Sequence, residues 1–157
     1  MPLQRLSILL AALWWGGITG LSFVAVPTLF AKLGSPAVAG PVAAQLFSFQ
    51  CWIGLVLGTA LMLVLRRQRA WLTADPSPQV LPDLRALLVS MALVALAVLL
   101  AMTQEFGVAR KIVTARATGG DLRLWHSLGS VLVLGQWLCA GVVLWRLAAP
   151  RRSVSPA

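Results

Sequence analysis

The sequence predicts an all-α polytopic membrane protein, a four-transmembrane-helix antiparallel bundle with long third and fourth helices. Three observations predict it. Of 157 residues, 59% are hydrophobic and 11% charged, against about 25% charged in soluble domains. The apolar residues are gathered into four long runs separated by short polar islands, as in a chain that crosses a bilayer repeatedly. The formal charge of +9 comes from basic residues that flank those runs. Such flanking charge reads as topology and contact with anionic lipid, not as a nucleic-acid surface.

The first run, "LSILLAALWWGGITGLSFVAVPTLF", follows Arg5. It is too long for the 7–15-residue core of a signal peptide, and no small-x-small cleavage site follows. It is expected to span over residues 6–33, kinked at Pro27 and ended by Gly34 as a C-cap. Ser35-Pro36 and Gly40-Pro41 both look like helix starts, with proline at the first helical position, and the second span is placed at 41–65. "RRQRAWLTADPSPQVLPDLR" is the longest polar island, and its prolines and aspartates mark a loop. The third span is expected over 84–107, and its helix can continue toward Thr118, where Gly119-Gly120 stops it. Asp121 should N-cap a fourth helix over 122–147, its carboxylate at the positive end of the helix dipole. Residues 1–148 thus form one domain, and the tail 149–157, "APRRSVSPA", is expected to be disordered.

Four spans put both termini on one side. Eight Lys and Arg lie on that side and five on the other, which favours cytoplasmic termini. Arginine outnumbers lysine 11 to 2 in a chain rich in alanine and leucine, the usage of a GC-rich bacterial genome, so the expected location is a bacterial inner membrane. Trp71 and Trp145 fall near the proposed cytoplasmic interface and Trp125 near the other, as an aromatic belt requires.

Helices in lipid associate through small residues that let backbones approach. Gly16 with Gly20, and Gly54 with Gly58, form GxxxG pairs on the first and second helices. They suggest either ordinary packing within the chain or a face for self-association. Trp14, Trp15, Trp52 and Trp137 lie well inside apolar runs and are expected to fill the core, with Thr19, Ser22, Gln50 and Gln136 as acceptors for their indole N–H groups. Cys51 and Cys139 are not in a CxxC and read as buried free thiols.

Ionisable residues near the membrane interior are few, and each is a functional candidate. Glu105 ends the third span and His126, the sole histidine, starts the fourth. Consecutive antiparallel helices should bring them to similar depth, where a carboxylate beside an imidazole could relay protons or hold a metal. The candidate polar site is His126 and Glu105 with Ser130, Gln104 and Arg110. A structural hydrogen bond between the helices is the other reading. One histidine and two separated cysteines do not make a typical zinc site. No phosphate-binding glycine loop, zinc-protease signature or nucleophile elbow appears. Neither a metal, a cofactor nor an enzymatic activity is therefore expected.

"LFAKLGSPAVAGPVAAQLFSFQCWIGLVLG" and the later "WHSLGS" resemble the transmembrane-protein-205-like family, over roughly Leu13 to Trp145. That family comprises four-span membrane proteins of bacteria and eukaryotes. Its bacterial members are described only as a domain of unknown function, and its eukaryotic namesake is linked to platinum-drug resistance. The matching features are Leu29-Phe30, Leu46-Phe47 with Phe49, Glu105, and His126 with Ser130. Where the family often has glycine after the histidine, Ser127 stands here. The Trp-Gly-Gly run and Pro-x-Leu-Phe also look loosely like bacterial copper-resistance and haem-pathway proteins.

The expected function is that of a small non-catalytic accessory or scaffold subunit. Its partners would be the lipid bilayer and other membrane proteins or further copies, with no nucleic acid. The alternative is a small-molecule or metal transporter, or a haem- or metal-binding redox protein, with its site between helices three and four.

Overall fold

The computed structural model describes residues 2–74, 77 and 80–149. Four helices account for nearly all of them: α1 (Pro2–Leu33), α2 (Pro36–Thr73), α3 (Leu81–Thr118) and α4 (Leu122–Ala148). Each is long and apolar enough to cross a membrane. The expected tail beyond Ala149 lies outside the described residues, as do parts of the loop between α2 and α3.

The long helices are the second and third, 38 residues each, while α4 has 27. The third is long as expected; the correction is that the second, and not the fourth, is its equal. The reason is at both ends of α2. It starts at Pro36, capped by Ser35 in extended conformation, with Pro41 inside it. Pro41 falls early in the helix, where losing one N–H bond is tolerated beside neighbouring helices. At the other end "RRQRAWLT" continues as helix. A 38-residue helix reaches roughly 57 Å, so α2 and α3 project well beyond a hydrocarbon layer of about 30 Å. Gly34 and Gly119 end α1 and α3 in the left-handed conformation, φ 62° and 77°. Asp121 accepts the Leu124 N–H at 3.0 Å and starts α4.

Two helices carry a wide turn. In α1, Gly20–Ala25 is π-helical and leads into Pro27. The proline ring would press on the carbonyl four residues back, and widening the preceding turn relieves this. In α3, Thr103–Ala109 is π-helical as well. Proline does not account for this second one.

The core rests on adjacent tryptophans that face different neighbours. Trp14, 3% exposed, lies on Gly54 and Gly58 of α2. A methyl on Gly54 would come 2.9 Å from its Nε1, and one on Gly58 3.1 Å from its Cη2 and 2.7 Å from Val98 Cγ2. Trp15 points instead to α4, where a methyl on Gly141 would stand 2.8 Å from its Nε1. Successive residues on a helix point about 100° apart, so the pair Trp14-Trp15 joins α1 to α2 and α4 at once. The two GxxxG pairs therefore differ. Gly54 and Gly58 are contact glycines, whereas methyls on Gly16 and Gly20 would meet nothing within 4 Å. Trp52 is 50% exposed and packs edge-on against Phe106 on the outer surface, so it is not part of the core. Cys51 and Cys139 are buried and unpaired.

Polar groups tie the bundle near the termini. Gln68 donates to the Leu3 carbonyl at 3.0 Å and to Ser7 Oγ at 3.3 Å, and Arg146 donates to the Ala86 carbonyl at 3.2 Å.

Candidate functional site

At the opposite end from the termini the bundle opens. Up to Thr19, α1 packs against both α2 and α4; from Val26 on, it packs mainly on α2. The π turn between these stretches carries the change of partner. A cavity of about 530 Å³ lies in the resulting gap, lined by side chains of all four helices. That is within the roughly 300–1,000 Å³ of small-molecule sites.

Both wide turns supply its walls. The first contributes Ser22 and Phe23, and the second contributes Gln104, Glu105, Val108 and Ala109. A π turn rotates the residues after it relative to a regular helix, and such turns cluster at functional sites. Four of the five candidate polar residues line the cavity: His126, Glu105, Ser130 and Gln104. The fifth, Arg110, does not. Its guanidinium stacks over Phe106, 5.4 Å from the ring centre. The cationic wall residue is Arg116, one and a half turns further on. Regular helical periodicity gives no way to tell which arginine reaches the cavity after a π turn.

His126 and Glu105 share the cavity but do not touch. Glu105 Oε1 accepts a hydrogen bond from Ser48 Oγ on α2 at 2.6 Å. Lys111 lies over the Trp125 ring at 6.0 Å, and Gly129 sits against Val108. His126 is therefore level with about residue 111, roughly 9 Å shallower than Glu105 by helical rise. The expected side-by-side pair becomes a polar group at each end of one cavity. Ser130 Oγ donates to the His126 carbonyl at 3.0 Å, so its hydroxyl is turned back on its own helix and not toward the imidazole. Among the described residues, no three of His, Cys, Asp and Glu gather in metal-binding geometry.

The hydrogen bonds of the inner wall run between helices. Gln136 Nε2 of α4 donates to Gln104 Oε1 of α3 at 2.8 Å. Trp137 Nε1 donates to Thr19 Oγ1 at 2.9 Å, and its ring meets Phe23 edge-on at 5.8 Å. Thr19 is thus one of the four expected indole acceptors, while Gln136 is a donor to another side chain. Among the described residues, Ser22 Oγ and Gln50 Oε1 are buried without a hydrogen-bond partner. Ser22 lines the cavity, and its Oγ is a buried hydroxyl in that wall with no hydrogen-bond partner.

The Gln104–Gln136 bond gives a test of how the wall is held. Gln136→Leu is expected to destabilise by about 1 kcal/mol, within the range of interhelical hydrogen bonds in lipid. The double variant Gln104→Leu/Gln136→Leu is expected to recover part of that loss, because neither partner is then left alone. A double-mutant cycle of unfolding in mixed micelles measures it, and strict additivity would show that the pair does not interact.

The fold and the cavity define a class: an all-helical membrane protein with four membrane-length helices and a cavity between them. The chain belongs to the family described as a domain of unknown function, DUF4149, which matches residues 9–121. The match takes in three helices and ends at Asp121, before His126 and Ser130. No curated protein and no solved structure matches the chain.

Proposed function

We propose that this protein is a small non-catalytic membrane subunit that holds an amphipathic molecule from the bilayer in the cavity between its helices. The observation that carries the reading is the cavity's composition and place. Its walls are largely apolar, including Phe23, Phe47 and Trp137, with Gln104 and Glu105 at one end and Arg116 and His126 at the other. Glu105 lies where the apolar run of α3 gives way to exposed Arg110 and Lys111. The cavity therefore sits at headgroup level, where a molecule with a polar end and an apolar body is at home.

The transporter alternative shares this cavity. The metal alternative lacks a cluster of three His, Cys, Asp or Glu ligands among the described residues. A subunit role draws support from Gly16 and Gly20, whose open face offers close approach to another helix. The resemblance to the transmembrane-protein-205-like family is part of this proposal, as are a bacterial inner-membrane location and cytoplasmic termini. The last is supported by the eight-to-five excess of basic residues on that side.

Gentle extraction followed by native mass spectrometry and an absorbance spectrum tests the reading. A stoichiometric amphiphile on the protein is the expected result. A bare chain under conditions that keep it folded, or a stoichiometric metal or haem, would overturn it.

A further inference from the structure

We infer that the cavity selects an anionic lipid, holding its charged headgroup at Arg116 with its chains leaving between α1 and α4. This rests on the reading above and adds the headgroup's charge. Arg116 is the cavity's permanently charged cation. Its guanidinium lies against Gly40 of α2, where an added methyl would stand 3.0 Å from Nη2. The missing side chain at Gly40 gives the guanidinium room beside α2. Among the described residues, no carboxylate forms an ion pair with it.

The surroundings have the same sign. Lys32 is in the last turn of α1, Arg123 is in the first turn of α4, and Lys111 is exposed on α3. The anions at this end are Asp121, engaged as a helix cap, and Glu105. Glu105 precedes Arg116 by eleven residues on one helix, roughly 16 Å by helical rise. An anion seated at Arg116 would not meet it. His126 lines the same outer part of the cavity and can donate to the same group.

The gap gives the chains their route. Phe23, in the π turn, closes edge-on against Trp137 at the inner end; beyond the turn α1 packs mainly on α2, and outward of that contact Phe30 of α1 and Leu134 of α4 line the cavity. Phe30 is 39% and Leu134 49% exposed, so this side meets the hydrocarbon. A charged head in the outer cavity and chains through an apolar side opening satisfy both ends of a lipid at once.

The test uses the full chain in bilayer discs of equimolar phosphatidylglycerol and phosphatidylcholine with identical acyl chains, and measures the lipid that stays bound after mild detergent release. Wild type is expected to retain phosphatidylglycerol about five- to tenfold over phosphatidylcholine, the size of one charge-assisted contact. Arg116→Gln should bring that ratio near unity, Arg116→Lys should keep part of it, and Arg110→Gln should leave it unchanged. Bound lipid without a headgroup preference, or equal loss in Arg110→Gln, would overturn the inference while leaving the cavity reading in place. No retained lipid in any variant would overturn both.

Discussion

Trp14→Ala is expected to destabilise the bundle by about 3 kcal/mol, the low end for removing a core tryptophan, because in lipid there is no water-transfer contribution to add to the lost packing. Trp14 is the side chain on which α2 closes through Gly54 and Gly58. Without it those glycines face a void that rigid helices cannot fully close. The same contact predicts a companion effect. Gly58→Ala would place a methyl 2.7 Å from Val98 Cγ2 and is expected to cost about 1–3 kcal/mol as an overpacked core. Gly16→Ala meets nothing within 4 Å and is expected to fall within about 0.5 kcal/mol of wild type. Unfolding in mixed micelles can be followed by maleimide labelling of Cys51 and Cys139, both buried in the folded chain. Equal midpoints for Gly58→Ala and Gly16→Ala would show that the tryptophan seat is not what holds α1 to α2.

Gly129→Phe is expected to lower the amount of amphiphile retained by about tenfold, the equivalent of 1.4 kcal/mol, with the unfolding midpoint close to wild type. Gly129 lines the cavity, and a methyl there would reach only ordinary contact with Val108 Cγ1, 3.5 Å away. The ring can therefore occupy the space meant for a ligand without displacing the core. Quantifying lipid extracted from purified wild type and variant gives the answer. A variant that keeps the full complement of bound amphiphile would place the ligand elsewhere, or show that there is none. Gly16→Phe, on the open face of α1, provides the control, and its retention should match wild type.

The candidate site was legible in part. Glu105 and His126 stood out as ionisable residues at the ends of apolar runs, and Gln104 and Ser130 followed by proximity. All four line the cavity. Arg116, Ser22 and Ser48 went unnoticed as site residues for a shared reason. Their place depends on two π turns and on the level at which α2 lies beside α3, and regular 3.6-residue periodicity describes neither. The first π turn had a signal in Pro27, read only as a kink. Ser48 could have been found by asking which hydroxyl on a neighbouring span could satisfy Glu105.

The sequence by itself determined the number of long apolar helices, their order and some of their ends. These follow from local chemistry: bilayer thickness sets the length of an apolar run, Gly34 and Gly119 can adopt positive φ, and the Asp121 carboxylate can cap a helix. Only the tertiary structure decided which glycines are contacts, which arginine lines the cavity and whether Glu105 meets His126. Those are questions of rotation and register between helices. In lipid every helix surface is apolar, so hydrophobic pattern carries little information about which face turns inward. Close packing of particular side chains, such as Trp14 on Gly54 and Gly58 and Trp15 on Gly141, fixes it instead.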